Sequence, residues 1–328
     1  MRSVLPLLFS LCAVLIVAAL SLSLGARVIP VADIWRTLTD FDPARPADLI
    51  VQGLRLGRTL TGFTCGAALA VAGLLMQQIS RNPLADPGLL GVNGGASLAV
   101  VLCLWAGVAG GPVALGLVAM AGAGLAALLV FAIGGGKAAD RAAILRLTLA
   151  GVAVSALALA LVSAIVLLDQ GTRDQFRFWT IGSLGGADPE RFNVLCWPVV
   201  AGVGLALLLS RKLDALALGH AGARAVGVRA GPVLLLGLGA VALLSGASVA
   251  MIGPVGFIGL VVPHLVRRLV GPQVMAGVLV AVPLGGAVLL ACDTLGRVLV
   301  RPAEIQTGLI LALAGGPCFL LLIGRLAR

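Results

Sequence analysis

Charge is scarce in this sequence. Asp, Glu, Lys and Arg make up 11% of 328 residues, whereas soluble domains carry about 25%. So few charges cannot coat a water-soluble globule. Tyrosine is absent, and there are only two histidines, His220 and His264. A membrane-embedded enzyme needs clustered catalytic groups such as His–Glu or Ser–His pairs, and two histidines, both expected at the inner edge, argue against one. Its six cysteines, Cys12, Cys65, Cys103, Cys196, Cys292 and Cys318, lie within or beside apolar runs with no paired spacing. They read as small apolar residues, which excludes a disulfide or zinc framework. The sole Gly-Lys pair, Gly136-Lys137, is followed by Ala138 and lacks the first Walker glycine, so it is no phosphate-binding loop. No polar stretch is long enough to form a soluble domain; the longest are residues 25–57, 169–191 and 211–231.

What is abundant is apolar. Hydrophobic residues make up 60% of the chain, and mean hydropathy is +1.13. Each helix crossing a bilayer core of about 30 Å needs about 20 apolar residues. Apolar runs of that kind predict spans over residues 4–24, 58–79, 91–108, 112–133, 143–168, 192–210, 232–252, 256–268, 274–294 and 306–324. Residues 1–24 look like a signal peptide, but the apolar run exceeds a signal core and reads as an uncleaved first span. The eighth run is too short for one straight helix. Gly253, Pro254, Gly256 and Gly259 at its start predict a broken or partly re-entrant segment. The 45 glycines suit close helix packing in lipid.

The net charge of +10 has a bland explanation. Lys and Arg collect in cytoplasmic loops facing anionic lipid, and no basic stripe elsewhere points to nucleic acid. With a cytoplasmic N-terminus, thirteen of the 23 Lys and Arg fall inside, together with three of the 13 acids. Both cationic termini and the Arg267–Arg268 pair then lie inside. About ten spans with both termini cytoplasmic satisfy this, in an all-α chain forming a single transmembrane domain over residues 1–328.

The densest signal is residues 55–95. Arg55-Leu-Gly-Arg58 precedes a span containing Gly66-Ala-Ala-Leu-Ala70. Then come Asn82-Pro-Leu-Ala-Asp-Pro-Gly-Leu-Leu-Gly91 and Asn93-Gly-Gly95. Pro83 and Pro87 forbid a continuous helix. Asn82 and Asp86 can satisfy freed backbone donors and cap the next helix. Gly91, Gly94 and Gly95 leave room for a tight neighbour or a passing solute. Further punctuation stands at Leu149-Ala-Gly151, Trp179-Thr-Ile-Gly182-Ser183-Leu184, Leu216-Ala-Leu-Gly219 and Gly253-Pro-Val-Gly-Phe-Ile-Gly-Leu-Val-Val-Pro263-His264.

These segments resemble the FecCD permeases, which import ferric siderophores, haem and cobalamin. The resemblance covers nearly the whole chain; one departure is Gly57, where the family often has proline. It implies a type II ABC importer permease that dimerises with an identical or related chain. It also implies two ATP-binding subunits, which hold the ATP and Mg, and a periplasmic or surface substrate-binding protein. This chain would carry no cofactor or resident metal and would be no enzyme. It would lie in the bacterial inner membrane as a multi-pass protein. The substrate expected is an iron chelate, a ferric siderophore before haem or cobalamin, moved by alternating access. A path without tyrosine, and without histidine at its outer mouth, does not offer the usual iron ligands, which fits an already chelated metal.

The resemblance also assigns residues. Arg55, Arg58 and Arg297 match external arginines that grip carboxylates on the binding protein, a task suited to the bidentate guanidinium fork. Asn82 and Leu84, with Ile144 and Leu145, match the inner gate, where apolar contact would exclude water. Coupling helices within about 211–231 would seat on the ATPase through Leu218, Gly219, His220, Ala223 and Gly227. His220 stands where the family usually has an acid. His264, beside Pro263 and Arg267, reads as a hydrogen-bonded interface residue. An ion-coupled secondary transporter is the competing class, but such proteins place ionisable groups at mid-membrane. The acids here cluster in loops, with Asp293 near an outer end.

Overall fold

The computed structural model describes residues 4–108, 110–134, 141–301 and 303–326; side chains of 141–144, 220–221 and 320–326 are not described. Every regular element among them is helical: α1 (Val4–Ser23), α2 (Val31–Thr39), α3 (Pro46–Ile50), α4 (Gly57–Ser80), α5 (Val92–Trp105), α6 (Gly111–Gly134), α7 (Arg141–Leu168), α8 (Gln170–Thr180), α9 (Pro189–Ala217), α10 (Gly219–Ala225), α11 (Ala230–Ile252), α12 (Ile258–Val270), α13 (Val274–Leu299) and α14 (Thr307–Leu326). A π-helical turn, Val51–Leu56, leads from α3 into α4, and a 3₁₀ turn, Pro87–Leu90, precedes α5.

The chain runs back and forth between two ends. At the capped end, the C-terminus of α1 meets the start of α4 and the C-terminal turns of α13. At the hairpin end, residues 81–91 and α10 sit beside the C-terminus of α9 and the start of α13. Seven helices among the described residues are long and apolar enough to cross a membrane. The other three predicted spans are α5, α14 and α12. The last has only 13 residues, about 20 Å of helix. Residues 253–257 ahead of it are irregular and span at most roughly 17 Å. The expected break is therefore real.

The bundle is centred on α4. In its most apolar window 83% of residues are buried, against 67% for α11 and α13 and 17% for α1 and α7. The outer helices leave large apolar side chains such as Leu15, Leu128, Leu167 and Leu208 uncovered, a surface that only lipid or another apolar partner can satisfy. Glycine sets the spacing at the centre. A methyl added to Gly66 would strike the Gly285 carbonyl, and one on Gly285 would strike that of Gly66. The backbones of α4 and α13 thus touch directly, as small residues permit in membrane bundles.

Candidate functional site

At the capped end the three sequence-selected arginines converge, but two of them turn inward. Arg55 is buried and donates to the carbonyls of Leu22 (2.6 Å), Ser23 (2.7 Å) and Arg27. Arg297 is buried too; it donates to the carbonyls of Ser21 (3.0 Å) and Leu24 (3.1 Å) and to the Ser21 hydroxyl (2.8 Å). Between them these side chains cap the C-terminus of α1, where carbonyls have no intrahelical donor and the helix dipole favours a cation.

Asp293 holds this cluster together. Its carboxylate is wholly buried. It accepts from Arg58 Nη2 (2.9 Å) and Nε (3.0 Å) and from the Thr307 hydroxyl (2.8 Å), and lies 3.1 Å from Arg297 Nε. It thereby joins α4, α13 and the start of α14. Arg58 spends its remaining edge on Glu304, Nη1 to Oε2 at 2.8 Å. The Arg58 side chain is 13% exposed and that of Glu304 43%. Of the three arginines, Arg58 is thus the one with an edge at the surface.

At the opposite end the expected punctuation does its local work. Asn82 Oδ1 accepts from the Leu84 N–H (2.9 Å), and Asp86 Oδ1 from the Gly88 N–H (2.7 Å). One detail is corrected. Asp86 caps the 3₁₀ turn and not α5, which instead starts from Gly91 at φ 74° with no side-chain cap. Burial pushes the Asp86 carboxyl above its ordinary range, against the opposing Gly88 N–H. Gly95 packs against Gly122 and Ala126 of α6, and Gly151 against the Leu89 carbonyl, so these glycines serve close neighbours. Leu84 and Leu145 are 37% and 62% exposed. The Ile144 side chain lies outside the described residues.

Residues 211–217 continue α9 past the predicted end of its span, and α10 alone forms the short helix that follows. Gly219, the first residue of α10, and Gly227, just beyond its end, stand at φ 89° and 77°, a region favoured by glycine. Ala223 is buried inside the chain. It packs α10 against its own bundle. The exposed apolar residues here are Leu218 and Val226, and the second escaped the sequence reading. The His220 side chain lies outside the described residues. His264 Nε2 is buried without a hydrogen-bond partner.

The sequence profile of the FecCD transport family matches residues 13–325. The chain belongs to the FecCD transport family. It is 42% identical over 315 residues to the ferric enterobactin transport system permease protein FepD of Escherichia coli, covering 96% of this chain and 93% of that one. It is 40% identical to the hemin transport system permease protein HmuU of Yersinia pestis, covering 97% and 94%. A solved metal-chelate type ABC transporter in an inward-facing conformation superposes with a TM-score of 0.86 at 28% identity, covering 97% of this chain and 98% of that one. The protein is therefore a multi-pass membrane permease subunit of the ABC importer class, in which ATP hydrolysis belongs to a separate chain.

The motifs that carry the FecCD resemblance turn out to be joints in the fold. Gly182 sits at φ 70° against Pro254. Its carbonyl accepts from the Gly308 N–H (3.1 Å), and the Ser183 N–H donates to the Ile252 carbonyl (2.9 Å). Gly73 and Gly259 bring α4 and α12 into backbone contact. Asp293, Glu304 and Thr307 were not singled out from sequence as partners of the arginines. The available signal was the i,i+4 spacing of Asp293 and Arg297, which on a helix places opposite charges side by side.

Proposed function

We propose that this chain is one permease half of an importer for a ferric chelate, a siderophore in the first instance, in the bacterial inner membrane. The observation that carries this reading is the near-full-length match to FepD, whose name specifies ferric enterobactin. A similar match to an Fe(3+)-citrate permease of Bacillus subtilis, YfmD, at 36% identity supports the class. The chain would cross the membrane about ten times with both termini in the cytoplasm. The capped end faces outward, and the hairpin end with α10 faces the ATPases. Two permease chains, identical or related, would enclose the path. Two ATP-binding subunits holding ATP and Mg would drive alternating access, and an external binding protein would deliver the chelate.

Docking would occur at the capped end. There Arg58 offers its exposed edge to a carboxylate of the binding protein, while Arg55 and Arg297 hold the cluster's shape. Asn82, Leu84, Ile144 and Leu145 would form the inner apolar gate. The segment within 211–231 would couple to the ATPase through α10, with Leu218 and Val226 as its apolar contact and Gly219, His220 and Gly227 beside them.

Haem is the second reading, favoured by the 40% identity to HmuU. A panel decides between them. Proteoliposomes holding the full transporter are offered its binding protein loaded with iron-55 catecholate, iron-55 citrate or haemin. Uptake of a ferric chelate in preference to haemin is expected; haemin uptake alone would overturn the siderophore reading.

A further inference from the structure

The geometry points to Arg81 as the positioning residue that carries movement of α10 to the gate hairpin. Arg81 follows directly on α4, and its backbone stands at φ 52°. Only Arg81 and Phe257 among the described non-glycine residues have positive φ. Its Nη2 donates to the Leu216 carbonyl at 2.6 Å. Leu216 lies in the last turn of α9, two residues before Leu218, the N-cap of α10. One turn back along α4, Gln78 Nε2 donates to the Leu213 carbonyl at 3.5 Å. Between these two acceptors, Asp214 Oδ1 accepts from the Val274 N–H at 3.0 Å, which starts α13.

Residues 213–216 are thus a knot tying the ends of α4 and α9 to the start of α13, immediately before α10. Buried Ala223 keeps α10 packed on this unit. A displacement of α10 therefore reaches Leu216, and through the Arg81 guanidinium it reaches Asn82 and Leu84. The backbone alone would favour glycine or asparagine at this left-handed position after a helix. Arginine there is explained by its side chain, which supplies a charged donor to the Leu216 carbonyl in the last turn of α9.

This inference rests on α10 being the ATPase contact, and the experiment separates the two. The complete transporter is reconstituted with Arg81→Gly, Arg81→Asn and Arg81→Lys, and ATP turnover, uptake and thermal stability are read on the same preparations. Glycine and asparagine should leave assembly and ATP turnover in place without lowering thermal stability, while uptake per ATP falls about tenfold. Lysine should restore part of the loss. Unchanged uptake per ATP in Arg81→Gly overturns the role of Arg81. In a parallel arm, Leu218→Asp and Val226→Asp should release the ATPase subunits; if those subunits stay bound and active, the α10 reading beneath the inference falls.

Discussion

Asp293→Asn removes the carboxylate that Arg58 and Arg297 share while keeping the side chain's size. Asparagine can still accept from Thr307, so the loss is mainly that of charge. Arg297 then keeps only neutral acceptors, Ser21, Leu24 and Thr294, in a position that is 3% exposed. Arg58 is better placed, because Glu304 remains 2.8 Å from its Nη1. Removing one partner of a buried ion pair costs about 3–5 kcal/mol, and the Arg297 arm should account for most of it. In purified detergent-solubilised protein this corresponds to a fall in unfolding temperature on the order of 10 °C. The double change Asp293→Asn with Arg297→Gln removes both charges, so it should recover much of the loss through a favourable coupling of roughly 0.5–3 kcal/mol. If the single variant melts within a degree or so of the parent, or the double is no better than the single, Asp293 is not the hub described.

Three further outcomes are expected. Glu304→Gln frees the Arg58 Nη1 edge, so the binding protein should dock up to about fivefold more tightly; an unchanged Kd by interferometry on the reconstituted transporter would count against Arg58 as the docking edge. Gly285→Val drives a side chain into the α4 backbone at Gly66, where overpacking costs about 1–3 kcal/mol or more, and should show as a lowered melting temperature or lost expression. Asp86 has a raised pKa from burial, so its ionisation opposes folding: its favourable contribution is intact below the unfolded value, about 3.9, and is lost as pH rises through the folded one. Asp86→Asn should therefore stabilise at neutral pH and make no difference at low pH, in melting curves taken across that range; a variant no more stable at neutral pH contradicts the sign.

The helices were legible because lipid forces each crossing to be a long apolar run. The second predicted span, 58–79, is α4 at Gly57–Ser80, and the proline- and glycine-marked break before α12 appears where expected. The sixth run was cut short at residue 210 because Arg211, Lys212 and Asp214 are charged, yet α9 continues to Ala217. Charge ends a membrane span without ending a helix. The polar stretch 25–57 hid α2 and α3, which are too short for periodicity to reveal. For the candidate site, the resemblance placed Arg55, Arg58 and Arg297 together as outward-reaching grips, whereas Arg55 and Arg297 turn inward onto α1. An arginine beside a span reads the same whether it reaches outward or caps α1, because the carbonyls of Leu22 and Ser23 that decide the matter are backbone atoms.

The claim beneath all of this is that the chain is a conduit powered by another protein. The direct measurement is uptake of iron-55 chelate into proteoliposomes containing this chain with or without its ATPase subunits, under ATP or under an imposed proton or sodium gradient. Uptake should require the ATPase, Mg-ATP and the loaded binding protein together, and should be absent for the chain alone under either gradient. Gradient-driven accumulation by the chain alone would contradict the account.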